Sequence, residues 1–203
     1  MATPIGHALA GYAVLGLVPA GPDRVATVVV AVALANVPDL DFLPGLLVGT
    51  PALYHQGISH SLGAAAVVGL LTALGLRRLD LPFGRVWAVS VLAYASHLAL
   101  DALGPDARPP YGQPLLWPLT DARFASPLTL LPGVQHAAET SASTLAWIRG
   151  ILHPANLFAI AVEVLVLSPF AYGAWRRRQA RRPARRAAGH DSHRPAALQD
   201  AQP

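Results

Sequence analysis

Between residues 155 and 175 the chain stays apolar for about the 20 residues that a bilayer crossing requires, with one carboxylate, Glu163, midway. Residues 86–103 form a second such stretch, carrying His97 and Asp101. Charged residues make up only 13% of the chain, about half the ~25% usual in soluble domains, so lipid is the solvent that fits. Three shorter apolar segments precede these two: residues 8–19, 25–37 and 62–76. Runs of about 10–14 residues are often buried core helices or re-entrant pieces, so the shorter three constrain the span count less. The 62–76 segment is dense in small residues, which permits close helix approach in lipid. The expected fold class is all-α, a multi-span helical membrane bundle.

Arginine placement orients that bundle. Arg77, Arg78 and Arg85 lie between the third and fourth segments, and Arg176, Arg177 and Arg178 follow the fifth. With these inside, Arg24 is also inside, and residues 38–60, 105–154 and the N-terminus are outside. Residues 105–154, with Pro109-Pro110 and Trp117-Pro118, read as a proline-rich extramembrane cap on a membrane domain covering 1–175. The sequence pI near 10.1 suggests a nucleic-acid binder until the arginines are located. Eight of the fifteen basic residues fall between Arg176 and Arg194, in a tail over 176–203 whose composition predicts disorder. Anionic lipid at the inner leaflet suits that tail better than nucleic acid. The first residues lack a positive n-region and His7 interrupts any apolar core, so no cleavable signal peptide is expected.

With no cysteine, any metal must be held by His and carboxylate. Outside the tail there are six histidines, His7, His55, His60, His97, His136 and His153, and this topology puts none at a cytoplasmic end. His97 and Asp101 are four apart on a helix, so they share one face with Cβ atoms about 5–6 Å apart. A carboxylate inside a span costs roughly 2.5–3.5 kcal/mol unless compensated, and a bound cation compensates it. The bland alternative is a His–Asp pair that pins one helix to another. In Asn36-Val-Pro-Asp39-Leu-Asp41, one aspartate can coordinate while the other orients a neighbour. His60 precedes an apolar helix that Ser59 or Ser61 can cap. The conjunction makes His7, Asp39, Asp41, His60, His97 and Asp101 the candidate ligands of a divalent metal, zinc foremost, with manganese or iron also suited. His55, His136-Ala-Ala-Glu139, His153 and Glu163 stay outside that set.

The ordered pieces Thr3-Pro4-Ile5-Gly6-His7, Pro38-Asp39-Leu40-Asp41, His60-Ser61, Ser96-His97 with Asp101, and Leu116-Trp117-Pro118 span roughly residues 1–120. Together they resemble the bacterial and archaeal membrane-bound metal-dependent hydrolases typified by the inner-membrane protein YdjM. A more distant likeness is to zinc-dependent phospholipase C and the S1/P1-type nucleases. That likeness implies one or two ions on His7, Asp39 or Asp41, His60, His97 and Asp101, with Asp101 placed to bridge. Asp39, His60 and Asp101 are the expected catalytic residues. The soluble enzymes add an HxxxE helix that this chain lacks. The implied activity is metal-dependent phosphoester hydrolysis in the inner membrane, with a phospholipid or lipid-linked phosphate as substrate. Two other classes compete: a metal-ion transporter or channel, with ligands stacked along the membrane normal, and a non-catalytic scaffold.

Overall fold

The computed structural model describes residues 1–18, 25–79, 81–106, 109–136 and 143–191, with side chains as far as residue 180. Among these, helices α1 (Pro4–Val14), α2 (Val25–Leu34), α3 (Phe42–Leu47), α4 (Leu62–Gly75), α5 (Phe83–Ala102), α6 (Thr144–Ile151) and α7 (Ala155–Asp191) account for the regular structure. The described residues contain no strand, only an isolated bridge between Gln113 and Phe124.

All five apolar segments are helical, but they differ in reach. The 20 residues of α5 extend about 30 Å, a full hydrocarbon crossing, and α7 is apolar and long enough over Ala155–Ala180. Helix α2 with Val37–Leu47 passes as a third span only if counted as one unit bent by 50°. The bend falls where Pro38 withholds a backbone donor, and the chain tightens into a 3₁₀ turn over Val37–Asp41. Helices α1 and α4, at 11 and 14 residues, are shorter than a span. The described residues therefore contain two or three candidate spanning units, with short helices packed against them.

Helix α5 is the axis of the bundle, packing against α4, α1 and α2, while α1 packs on α7. Gly11 allows α1 to touch α2, because a Cβ there would lie 2.5 Å from the Ala31 carbonyl oxygen and 2.6 Å from Ala35 Cβ. Outward side chains such as Leu71, Leu165 and Phe170 are apolar and more than 60% exposed, a surface suited to lipid.

Helix α7 runs on past residue 175 to Asp191, through Arg, Ala and Gln residues that favour helix and past Pro183 and Gly189, which do not. Residues 192–203 of the expected tail lie outside the described residues, as do Arg24 and Glu139. Residues 105–154 include α6, whose N-cap Ser143 accepts from Ala146 N. The cap is tied to the bundle by Leu62 N donating to Leu115 O (2.9 Å) and Val134 N donating to Met1 O (3.0 Å). Arg123 Nη2 donates to Gln56 O at 2.9 Å. The cap covers the end where α1 and α4 begin and α5 stops.

Candidate metal centre

Each polar residue at that end is delivered by a helix terminus or turn. Thr3 caps α1, its hydroxyl oxygen accepting from Gly6 N at 3.1 Å, and Pro4 starts the helix, so His7 emerges one turn in. The turn after α2 presents Asp39 and Asp41. Ser61 caps α4 through Ala64 N (3.0 Å), which places His60 just ahead of it. His97 and Asp101 stand on the last turns of α5.

These residues meet. His97 Nε2 lies 3.3 Å from His60 Nε2, 3.4 Å from Asp39 Oδ1 and 3.4 Å from Asp101 Oδ2. His60 Nε2 is 3.7 Å from Asp39 Oδ1 and 3.5 Å from Asp101 Oδ2. A tetrahedral ion with bonds of about 2.0–2.1 Å holds its ligand atoms roughly 3.3–3.4 Å apart, close to these five edges. His7 joins from the far side, its Nε2 3.3 Å from Asp101 Oδ1 and its ring stacked on His97 at 3.8 Å. The groups that could hold an ion are Asp39, His55, His60 and Asp101, and, sharing Asp39, His7 and His97.

The hydrogen bonds behind the cluster decide which nitrogens face it. Ala35 O can only accept, so His97 Nδ1, 2.9 Å away, is the protonated nitrogen. Ser59 gives its hydroxyl proton to Asp41 Oδ2 (2.7 Å), leaving its oxygen to accept from His60 Nδ1 at 3.0 Å. Asp41 Oδ2 also lies 3.1 Å from that nitrogen. Both Nε2 atoms therefore turn lone pairs toward one another and toward two carboxylates. Only a cation or an added proton reconciles that arrangement. Buried atoms without a hydrogen bond gather at the same place: both nitrogens of His7, Asp39 Oδ1, Asp101 Oδ2 and His55 Nε2. The donor set and its unsatisfied atoms fit a divalent ion.

Electrostatics outside the spans agree. Burial pulls the His60 imidazolium down, but the nearby carboxylates of Asp101, Asp39 and Asp41 outweigh it and hold its pKa well above the ordinary histidine value. At His55 burial prevails over Asp41, and the pKa is lowered.

Of the six expected ligands, His7, Asp39, His60, His97 and Asp101 converge, while Asp41 stands behind them. Its two oxygens are engaged by His55 Nδ1 (2.9 Å), Gln56 N (3.1 Å) and Ser59 Oγ. His55, left outside the set, sits at its edge, stacked on Phe42 at 4.0 Å. Its nearness in sequence to His60 was the available signal. Glu163 is fully buried and accepts from Thr3 N at 2.9 Å and from the Thr3 hydroxyl, so α7 grips the first turn of α1. A Cβ on Gly6 would collide with the Glu163 carboxylate. His153 is exposed and accepts from Ala155 N at 3.2 Å, away from the cluster. His136 lines a cavity that also reaches Asp39.

Fold and cluster together define a helical membrane protein with a buried His/carboxylate group able to hold a metal ion. The model of the YdjM inner membrane protein family matches residues 1–180, and the chain belongs to that family. No curated protein and no solved structure matches the chain.

Proposed function

We propose that the protein is a membrane-bound metal-dependent hydrolase acting on a phosphoester of a lipid or lipid-linked substrate. The observation that carries this reading is the set of Nε2 lone pairs and carboxylate oxygens turned toward one another in a buried site. Asp39, His60, His97 and Asp101 would hold one divalent ion, zinc being the ion their chemistry suits best. His7 with the second oxygen of Asp101, and with Asp39 between the two groups, offers the start of a second. When bound, such ions activate water at neutral pH and take up charge developing at phosphorus. Asp39 and Asp101 supply the negative charge that retains the metal. His60, fixed by Ser59 and Asp41, keeps its Nε2 directed at the reacting centre.

One observation favours a second reading. Four protein donors at the corners of one tetrahedron describe a closed structural site, whereas catalytic sites keep a position open. A scaffold with one structural ion would use only those four. Two ions sharing carboxylates would leave positions free on each. Elemental analysis of detergent-purified protein separates the two: two ions per chain with phosphodiesterase activity supports the hydrolase, and a single ion with no activity supports the scaffold. A transporter needs a ladder of ligands along the membrane normal, and donor separations of 3.3–3.7 Å describe a cluster instead.

The arginines of the α4–α5 connection and of α7 lie at the end away from the cluster, so by the positive-inside tendency we place the site on the extracytoplasmic side. The basic continuation of α7 then meets anionic lipid at the inner leaflet.

A further inference from the structure

The metal-site residues are not equally sealed. The side chains of His7, His60, His97 and Asp101 are 0% exposed, while Asp39 retains 18%. Asp39 also lines a cavity of about 180 Å³. Its other walls are largely apolar, with Met1 and Ala2 ahead of α1, Pro4 at its first position, Phe42 on α3, Val134 in the cap and Ile151 on α6. Trp147 and His136 supply its polar side chains besides Asp39. The Trp147 indole packs on Phe42 at 5.2 Å, and among the described residues its buried Nε1–H has no hydrogen-bond partner. An indole N–H withheld from both water and protein awaits an acceptor. Helix α6 exposes Leu145 and Ile148, and its C-cap exposes Leu152, so the element that walls the cavity also presents an apolar surface.

Resting on the phosphoester reading, we propose that this cavity is the subsite for the first carbons of a membrane lipid's apolar chain. The phosphoryl group then lies toward Asp39, and Trp147 donates its indole N–H to an oxygen of the substrate. A water-soluble phosphate ester would leave the apolar walls unused. A cavity near 150 Å³ holds a benzene-sized group, so about 180 Å³ suits a short stretch of chain rather than a whole acyl tail. The remainder of the chain continues past Ile151 toward the bilayer.

The test is calorimetric titration of metal-loaded, detergent-purified protein with methyl-, butyl- and hexylphosphonate, with chelator-treated protein as control. Affinity in the wild type is expected to rise up to roughly fourfold per added methylene. Ile151→Trp, which fills the cavity, should flatten that rise and leave methylphosphonate binding in place. Ile151→Ala, a milder change to a half-exposed position, should extend the rise to longer chains. Trp147→Phe keeps a ring against Phe42 and should weaken all three ligands by about tenfold. Metal-dependent binding that ignores chain length in the wild type, or a rise that Ile151→Trp and Ile151→Ala both leave unchanged, would overturn the subsite and spare the metal site. Failure of methylphosphonate to bind metal-loaded protein would remove the phosphoester reading and the subsite together.

Discussion

Helix α5 and helix α1 both bring histidine to the centre, and they do so by opposite means. His97 and Asp101 ride on a 20-residue helix packed on three sides, and their relative placement follows from helix geometry alone. His7 rides on an 11-residue helix too short to be held by the bilayer, and its first turn is anchored by a carboxylate from α7. Asp39 and His60 resemble His7, standing on short turns braced by Asp41, Ser59 and Tyr94, whose hydroxyl donates to Ser59 O at 2.7 Å. One part of the site is intrinsic to a rigid element and the other is assembled by long-range polar contacts. On the proposed metal reading, the rigid pair would fix where an ion sits and the braced residues would set how tightly it is held.

The sharpest test of that division is to remove the rigid half. Asp101→Ala deletes an oxygen facing His60 and His97, one facing His7, and the acceptor of Ala2 N at 2.9 Å. Bound metal measured by elemental analysis should fall to background, and phosphodiesterase activity with it. Retention of stoichiometric metal would show that the α5 pair is only a structural hydrogen bond. A smaller loss is expected from the bracing half. Asp41→Asn preserves size but removes the charge that orients His60 and His55, and should weaken metal affinity by roughly ten- to hundredfold. An effect as large as that of Asp101→Ala would make Asp41 a ligand after all.

The same division governs what can be read from sequence. The α5 pair is legible because four-residue spacing on an apolar helix fixes its geometry before any tertiary contact forms. The Pro38-Asp39-Leu40-Asp41 turn is legible as a site, but the roles of its two aspartates depend on Ser59 and His55, which the fold brings from more than a dozen residues away. Glu163 announces itself as a carboxylate inside a span, yet its partner Thr3 is 160 residues distant and ordinary in sequence. Helix lengths mislead for a related reason. Hydropathy registers α1 and α4 as apolar, while caps at Thr3 and Ser61 and packing on α5 set where they begin and what they cover.

Glu163→Gln tests whether the tether matters to the site or only to the bundle. The amide can still accept from Thr3 N, but it loses the charge that favours the N-terminus of α1. Thermal stability should fall by about 1–3 kcal/mol, the scale of a hydrogen bond to a buried charged group. Metal affinity should fall severalfold through displacement of His7, and Glu163→Asp should recover part of it. Lost stability with unchanged affinity would confine the tether to packing.

The smallest effect expected is on pH dependence, and it separates metal-free from metal-loaded protein. The His60 pKa is raised in the folded state, so its protonated form stabilises the metal-free protein below the unfolded value of about 6.5, and that contribution is lost as pH rises through the folded value. A bound metal needs the same Nε2 deprotonated, so affinity should increase with pH. In detergent, metal-free protein should therefore melt higher at about pH 6 than at about pH 8, and zinc-loaded protein should show the reverse. Asp41→Asn weakens one of the carboxylate contacts that hold the proton on His60, so it should compress the metal-free trend. His97→Gln leaves Asp41 in place and should compress it less. Equal compression by both would mean that the proton belongs to the cluster as a whole, and that the braced and rigid halves titrate as one unit.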